Sequence, residues 1–197
     1  MDSIYVIGRD SVPDAIRLQG GQKLSLAFVV LPGTDCNLSV QIDLDGAGCE
    51  LNIEGVYLCN AQENVSININ VRHNSGACTS SQLFKGIVGG KAKAVFNGLV
   101  YVAEGAADSR AFQQNHTILL SEQARVEALP QLEIYNDDVQ CSHGATCGSL
   151  NPDELFYMRS RGIPEKDALV LQKMAFIAPA LKDLPQELTD EIYDKLP

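Results

Sequence analysis

From Lys23 to Val71 apolar side chains return at every second position. Leu24, Leu26, Phe28 and Val30 are followed by Leu38, Val40, Ile42 and Leu44, then Leu51 and Ile53, then Val65, Ile67, Ile69 and Val71. A period of two belongs to strands, whose side chains alternate between faces, whereas a helical stripe needs spacings of three and four. Turn signals separate the runs: Pro32-Gly33, Asp45-Gly46, Gly48, Asn60 and Asn74-Ser75-Gly76. No helical pattern interrupts them, so this half of the chain is predicted to be all β. Ser66, Asn68 and Asn70 take the alternate positions of the last run, which puts water against its second face. A sandwich, a one-sided sheet and a β-helix with a packed interior all satisfy the pattern. No strict repeat length recurs, and spacing alone leaves the three open.

The alternation continues through Lys91 to Val102, KAKAVFNGLVYV, whose end is almost continuously apolar. That predicts a strand buried on both faces or one entering an interface. Glu104 to Asp108 reads as a turn, and Ile118–Leu120, Arg125–Ala128 and Leu132–Tyr135 as later strands. Most of the chemistry then lies in Leu129 to Gly162. There Cys141, His143, Ala145 and Cys147 recur at a spacing of two, so an extended backbone displays two thiols and an imidazole on one face. Asn151, Pro152, Asp153 and Glu154 supply a cap, a residue suited to the first helical position and two acids for the first turn. A helix is predicted from Pro152 to near Gly162, which suits a left-handed position after a helix end. Pro164 to Ala180, with Ala168, Leu171, Ala175 and Ala178 at helical spacing, predicts a second helix, and Gln186 to Leu196 a third. The expected division is a β core over 1–150 and a small helical segment over 151–197.

The 197 residues are 45% hydrophobic and 20% charged, enough apolar content for a core. A formal charge of -10 disfavours nucleic acid or an anionic membrane as partner, both being negative themselves. No apolar run has the length to cross a bilayer, and MDSIYVIGRD lacks a basic region followed by an apolar one, so a cytoplasmic protein with reduced thiols is expected. Cys36, Cys49, Cys59 and Cys78 contain no C-x-x-C pair, which favours core filling over a zinc ribbon. The Cys141–Cys147 segment offers donors of the kind that bind zinc, iron or a cluster. A closed structural site wants four ligands, and neighbours on one strand face cannot encircle a metal, so a strand with buried thiols is the plainer reading. Cys141 beside His143 permits nucleophilic catalysis without singling it out. Asp137-Asp138 reads as a solvated turn, and the isolated His73 and His116 as surface or satisfied core histidines. Gly86 to Lys91 lacks the spacing and the following Ser or Thr of a phosphate loop, so no nucleotide site is expected.

Three runs carry a resemblance to a known family: LEIYNDDVQCSHGAT followed by LFYMRSRGI, LFKGIVGGKAKAVFNGLVYV (Leu83 to Val102) and AFQQNHTILLSEQARV (Ala111 to Val126). The chain resembles the SufBD family of iron–sulfur cluster assembly proteins, on its SufD-like side. Met158 stands where the SufB-like branch tends to carry a cysteine. The resemblance implies a right-handed parallel β-helix with a small C-terminal α-helical appendage, truncated relative to typical members, which begin with an additional helical region. It implies a non-enzymatic scaffold working with a SufC-like ABC ATPase, docked through the C-terminal helices, and with a SufB-like subunit or a second copy of the chain. It also implies that Cys141 and His143 lie near the subunit contact as ligands for iron or a transient iron–sulfur cluster. Cys147 falls outside the family pattern. A stand-alone dimeric β-helix that has lost the assembly role is the alternative.

Overall fold

A computed structural model describes all residues 1–197. The strands are β1 (Ser3–Val6), β2 (Ala15–Leu18), β3 (Lys23–Val30), β4 (Cys36–Leu44), β5 (Glu50–Cys59), β6 (Asn64–His73), β7 (Thr79–Val88), β8 (Lys93–Val102), β9 (Ser109–Leu119), β10 (Arg125–Ile134) and β11 (Val139–Gly148). Three α-helices follow: α1 (Pro152–Ser160), α2 (Glu165–Ile177), extended by a tight turn at Ala178–Ala180, and α3 (Gln186–Asp194).

The odd-numbered strands form one sheet in the order β1-β3-β5-β7-β9-β11, and the even-numbered strands a second in the order β10-β8-β6-β4-β2. All neighbours in both sheets are parallel. A chain that changes sheet at every strand and always runs the same way is a parallel β-helix. The three architectures compatible with the alternation are thereby reduced to the one that the family resemblance implies. Register partners in successive turns are 23 to 32 residues apart, from Ser3–Leu26 in the first turn to Lys93–Arg125 near the last. That drift in turn length is why no strict repeat shows in the sequence.

The core fills the space between the sheets. Phe28, Ile53, Tyr57 and Phe84 enter it from the odd sheet, and Val40, Ile42, Ile67, Ile69 and Phe96 from the even one. The outward residues Ser66, Asn68 and Asn70 remain partly exposed, the wet face that the sequence predicts. Gly55 has a specific task, because a Cβ there would lie 2.2 Å from the Phe84 ring. That ring fills the place of the missing side chain.

The helices start and end as predicted at α1: Asn151 Oδ1 accepts from the amides of Asp153 at 2.9 Å and Glu154 at 3.4 Å, and Gly162 takes a φ of +87° beyond the end. The chain then folds back across the outer face of the odd sheet. Ile177, Leu181 and Ile192 pack there on Val29, Val56, Leu58 and Ile87. β5 is consequently buried on both faces from Ile53 to Cys59. Lys182 sits 3.3 Å from the buried Glu54 carboxylate, and Arg9 pairs with Glu191 at 2.5 Å, tying α3 to the first turn.

One of the two alternatives for Lys91–Val102 is overturned. Lys91–Val102 is not buried on both faces: β8 alternates buried and half-buried residues along its length, and it lies inside the even sheet between β6 and β10. Its outward Leu99 and Tyr101 are covered only in part, since no helix crosses that face. The predicted second helix forms as α2, and of its apolar stripe Ala168, Leu171 and Ala175 only Ala168 is buried. Ala168, Gln172 and Ile177 are the buried residues, and Leu171 is 45% exposed.

Candidate functional site

β11 carries the predicted donors, and its surroundings follow from the register. It pairs with β9 alone, so its other edge is free at the last turn of the β-helix, and β10 is likewise the edge of the even sheet. Cys141 lies beside Ala111, His143 beside Gln113, Ala145 beside Asn115 and Cys147 beside Thr117. Those four β9 residues are all buried. The face shared by Cys141, His143 and Cys147 is therefore the inward face of the solenoid, at a level where no further turn covers it.

The three donors differ in cover. Cys141 is half-buried and packs against Val100, Val102, Ala106 and Ala111. Burial pushes its thiol pKa up, and a hydrogen bond with the Ala111 backbone only partly opposes that. A thiol whose pKa is raised is a poorer free nucleophile, and a metal bound there would have to displace its proton. His143 and Cys147 are exposed. No three His, Cys, Asp or Glu side chains of the chain converge to hold a metal ion. The donor types suit iron or a cluster, but the strand presents them in a row, as its geometry requires.

Behind this strand the interior turns polar. In β5 the inward positions are Leu51, Ile53, Gly55, Tyr57 and Cys59; in β7 they are Ser80, Gln82, Phe84, Gly86 and Val88; in β9, Ala111, Gln113, Asn115, Thr117 and Leu119. Gln113 Nε2 donates to Gln82 Oε1 at 3.1 Å. The Tyr57 hydroxyl bonds Asn115 Oδ1 at 3.0 Å and Thr117 Oγ1 at 2.5 Å, and burial raises its pKa to about 12. His73 Nε2 lies 2.8 Å from Ser80 Oγ, and burial lowers the imidazole pKa to about 4, so of the two alternatives, surface or core, it takes the core one. The sequence reading missed these glutamines, asparagines and serines as interior groups, because polar residues at inward positions erase the alternation that marks a strand. The signal that remained was position, Gln113 and Asn115 lying one turn below His143 and Ala145, and Ser80 and Gln82 one turn further back.

The other candidates resolve locally. Cys36, Cys49, Cys59 and Cys78 are all buried and free. His116 Nδ1 lies 2.7 Å from Thr146 Oγ1 on the outward side of the odd sheet. Asn136, not an aspartate, closes the turn before β11 by accepting from the Asp138 amide at 2.9 Å. Gly89 and Gly90 form the β7–β8 turn, hugging Asn60 so closely that a Cβ on Gly90 would lie 2.3 Å from its carbonyl oxygen. Arg159 pairs with Glu165 at 3.2 Å and Arg161 lies over the Tyr157 ring.

A second surface stands apart from the strand edges. α1 buries none of its residues, and Phe156 and Tyr157 are 74% and 63% exposed. Between α1 and α2 runs an apolar groove lined by Tyr157, Met158, Leu171, Ala175 and Phe176 with Asp153 at its rim. No helix of the chain is long and apolar enough to cross a membrane.

Comparison with known proteins places these features. Residues 13–176 match the family described as SUF system FeS cluster assembly, SufBD core domain. The iron–sulfur cluster assembly protein SufD of Escherichia coli is 39% identical over 189 residues, covering 93% of this chain and 44% of that protein. SufD of Bacillus subtilis is 32% identical over 145 residues, covering 74% of this chain and 33% of its own. A SufBD family protein of Synechocystis is 44% identical over 117 residues, 59% of this chain and 25% of that protein. The chain thus spans less than half the length of these relatives, and the match reaches upstream of Val71, where the residues alone show only compatible patterning.

Proposed function

The chain belongs to the SufBD core domain family of the SUF system, and from that premise we propose that it is a non-enzymatic scaffold subunit for iron–sulfur cluster assembly, with the nascent cluster or its iron as cargo. The observation that carries the reading is the placement of Cys141 and His143 on the inward face of an unpaired edge strand. Edge strands offer unsatisfied backbone groups to a second chain. A SufB-like subunit or another copy of this chain, paired along β10 and β11, would bring its own donors to the seam and complete the ligand set that one strand cannot provide. In this reading Cys141 is the thiolate ligand, His143 the nitrogen ligand or base, and Cys147 an accessory. The raised thiol pKa supports a ligand that is deprotonated on loading over a free nucleophile. The division into a core domain over 1–150 and a helical segment over 151–197 follows the same logic, with the second part as the docking site of a SufC-like ATPase. The uncovered groove between α1 and α2 supports that role, because it stays open while the end of α2, at Ile177, is committed to the β-helix. A cytoplasmic location, with neither membrane nor nucleic acid as partner, accords with the charge.

The test is anaerobic reconstitution with iron and sulfide in the presence of the partner, comparing the wild-type chain with Cys141→Ser and His143→Ala. Loss of cluster occupancy in both variants is expected. Equal occupancy in all three proteins would assign these residues to the scaffold alone and favour a dimeric β-helix without an assembly role.

A further inference from the structure

We propose that Gln113 is the positioning residue for His143, acting through its side-chain amide; this rests on the reading of His143 as a nitrogen donor. Ile53, Gln82, Gln113 and His143 form one inward column of the odd sheet, each in register with the next. Gln82 and Gln113 are 1% and 0% exposed. The Gln113 amide donates its N–H to Gln82 in the turn below, and its Oε1 has no hydrogen-bond partner. A buried carbonyl oxygen without a donor is a costly exception in a native interior, and it marks a place where a partner is to be supplied. An amide that gives its nitrogen to one neighbour presents its oxygen away from it. The next group in the column on that side is His143, one strand spacing of roughly 4.8 Å away.

The even sheet fixes this amide from across the core. Gly98 of β8 faces it, and a Cβ there would lie 2.3 Å from Gln113 Nε2 and 2.6 Å from Oε1. The glutamine therefore lies in a slot that only glycine leaves open, with little freedom to turn elsewhere. When the His143 ring settles inward, one ring N–H donates to Oε1 and the other ring nitrogen keeps its lone pair directed toward the open end. A neutral imidazole has one donor and one acceptor, so occupying the donor selects the tautomer and makes the remaining nitrogen the ligand. Gln82 would act one step further back, by holding Gln113.

The imidazole ¹⁵N spectrum of the 197-residue chain tests this without iron, the His143 signals being assigned by their loss in His143→Ala. A single tautomer is expected in the wild type, a mixture in Gln113→Leu, and a single tautomer again in Gln113→Glu, which keeps an acceptor. Iron(II) binding to the same proteins with the partner should weaken by on the order of tenfold in Gln113→Leu and recover in Gln113→Glu. If Gln113→Leu loses the circular-dichroism signature of the β-helix, the wild-type tautomer and Gln113→Glu carry the test. A tautomer mixture in the wild type, or a spectrum indifferent to Gln113→Leu, overturns the proposal. Unchanged iron binding in His143→Ala with the tautomer effects intact would instead overturn the ligand reading on which it rests.

Discussion

Single residues show how the interior tolerates polarity, and His73 gives a measurable consequence. It is fully buried between the apolar register neighbours Leu44 and Val102, with Ser80 as its hydrogen-bond partner. Its pKa falls from an ordinary 6.5 to about 4 on folding. Between those values the unfolded chain takes up a proton that the native state refuses, so stability must decline as pH falls from about 6.5 to about 4 and be unaffected by this group above that window. The linkage is worth up to about 3 kcal/mol. Urea midpoints at pH 7 and pH 4.5 should therefore converge in His73→Gln relative to wild type; an identical pH slope in both would show that other groups govern acid stability. Gly86 gives a second prediction. A Cβ there would lie 2.1 Å from the Tyr57 ring, which hydrogen bonds to Asn115 and Thr117 hold in place. Gly86→Ala should cost about 1–3 kcal/mol as an overpacked core does, read as a lowered denaturation midpoint. Neither contact was legible in the sequence, where Gly86 appeared only as part of a rejected phosphate loop and His73 only as an isolated histidine.

At the scale of elements, legibility tracked the chemistry of the inward positions. β3, β4, β6 and β8 announce themselves because aliphatic and aromatic residues occupy those positions. β7 and β9 do not, because Ser80, Gln82, Gln113, Asn115 and Thr117 replace them. β10 contains Pro130 in mid-strand, which an edge accepts because the missing amide leaves no ladder bond broken. The start of α1 was legible from its Asn151 cap, but the side on which the helices would pack was not. That depends on Val56, Leu58 and Ile87 forming an apolar outer patch, and those residues lie at outward positions within strands otherwise read from their inward ones. The packing makes the two faces of the helical segment separable. Ile192→Ala, fully buried on the sheet, should destabilise the fold by about 2–5 kcal/mol. Leu171→Asp, in the open groove, should change stability by no more than about 0.5 kcal/mol while abolishing capture of the proposed SufC-like ATPase in a pull-down. Retained capture would locate the docking site elsewhere. Deleting Pro164–Pro197 would not separate the two roles, since it strips the cover from the odd sheet.

The whole molecule is a stack with a direction. Its interior is aliphatic and aromatic in the early turns, becomes amide-rich at β7 and β9, and ends in Cys141, His143 and Cys147 at the uncovered last turn. The same turn gathers the exposed apolar groups Leu129, Ile134 and Tyr135 on or beside an edge strand. An edge that is long, apolar and unpaired is what a chain covers by association, and here the free edges run alongside the proposed ligands. If association and cargo binding share this end, charging the edge must disrupt both while leaving the β-helix intact. Leu129→Lys with Ile134→Lys places two cations on β10, at 43% and 41% exposed positions, where lysine costs little in the isolated chain and opposes pairing. Sedimentation velocity should show the wild type associating, with itself or with an added SufB-like subunit, and the double variant remaining monomeric with an unchanged urea midpoint. The choice of partner separates the two readings of the chain: self-association without added subunit supports the dimeric module, and association only on mixing supports the assembly scaffold. Undiminished association of the double variant in both settings would mean that the contact lies away from the last turn, and Cys141 and His143 would then have no second chain to complete their ligand set.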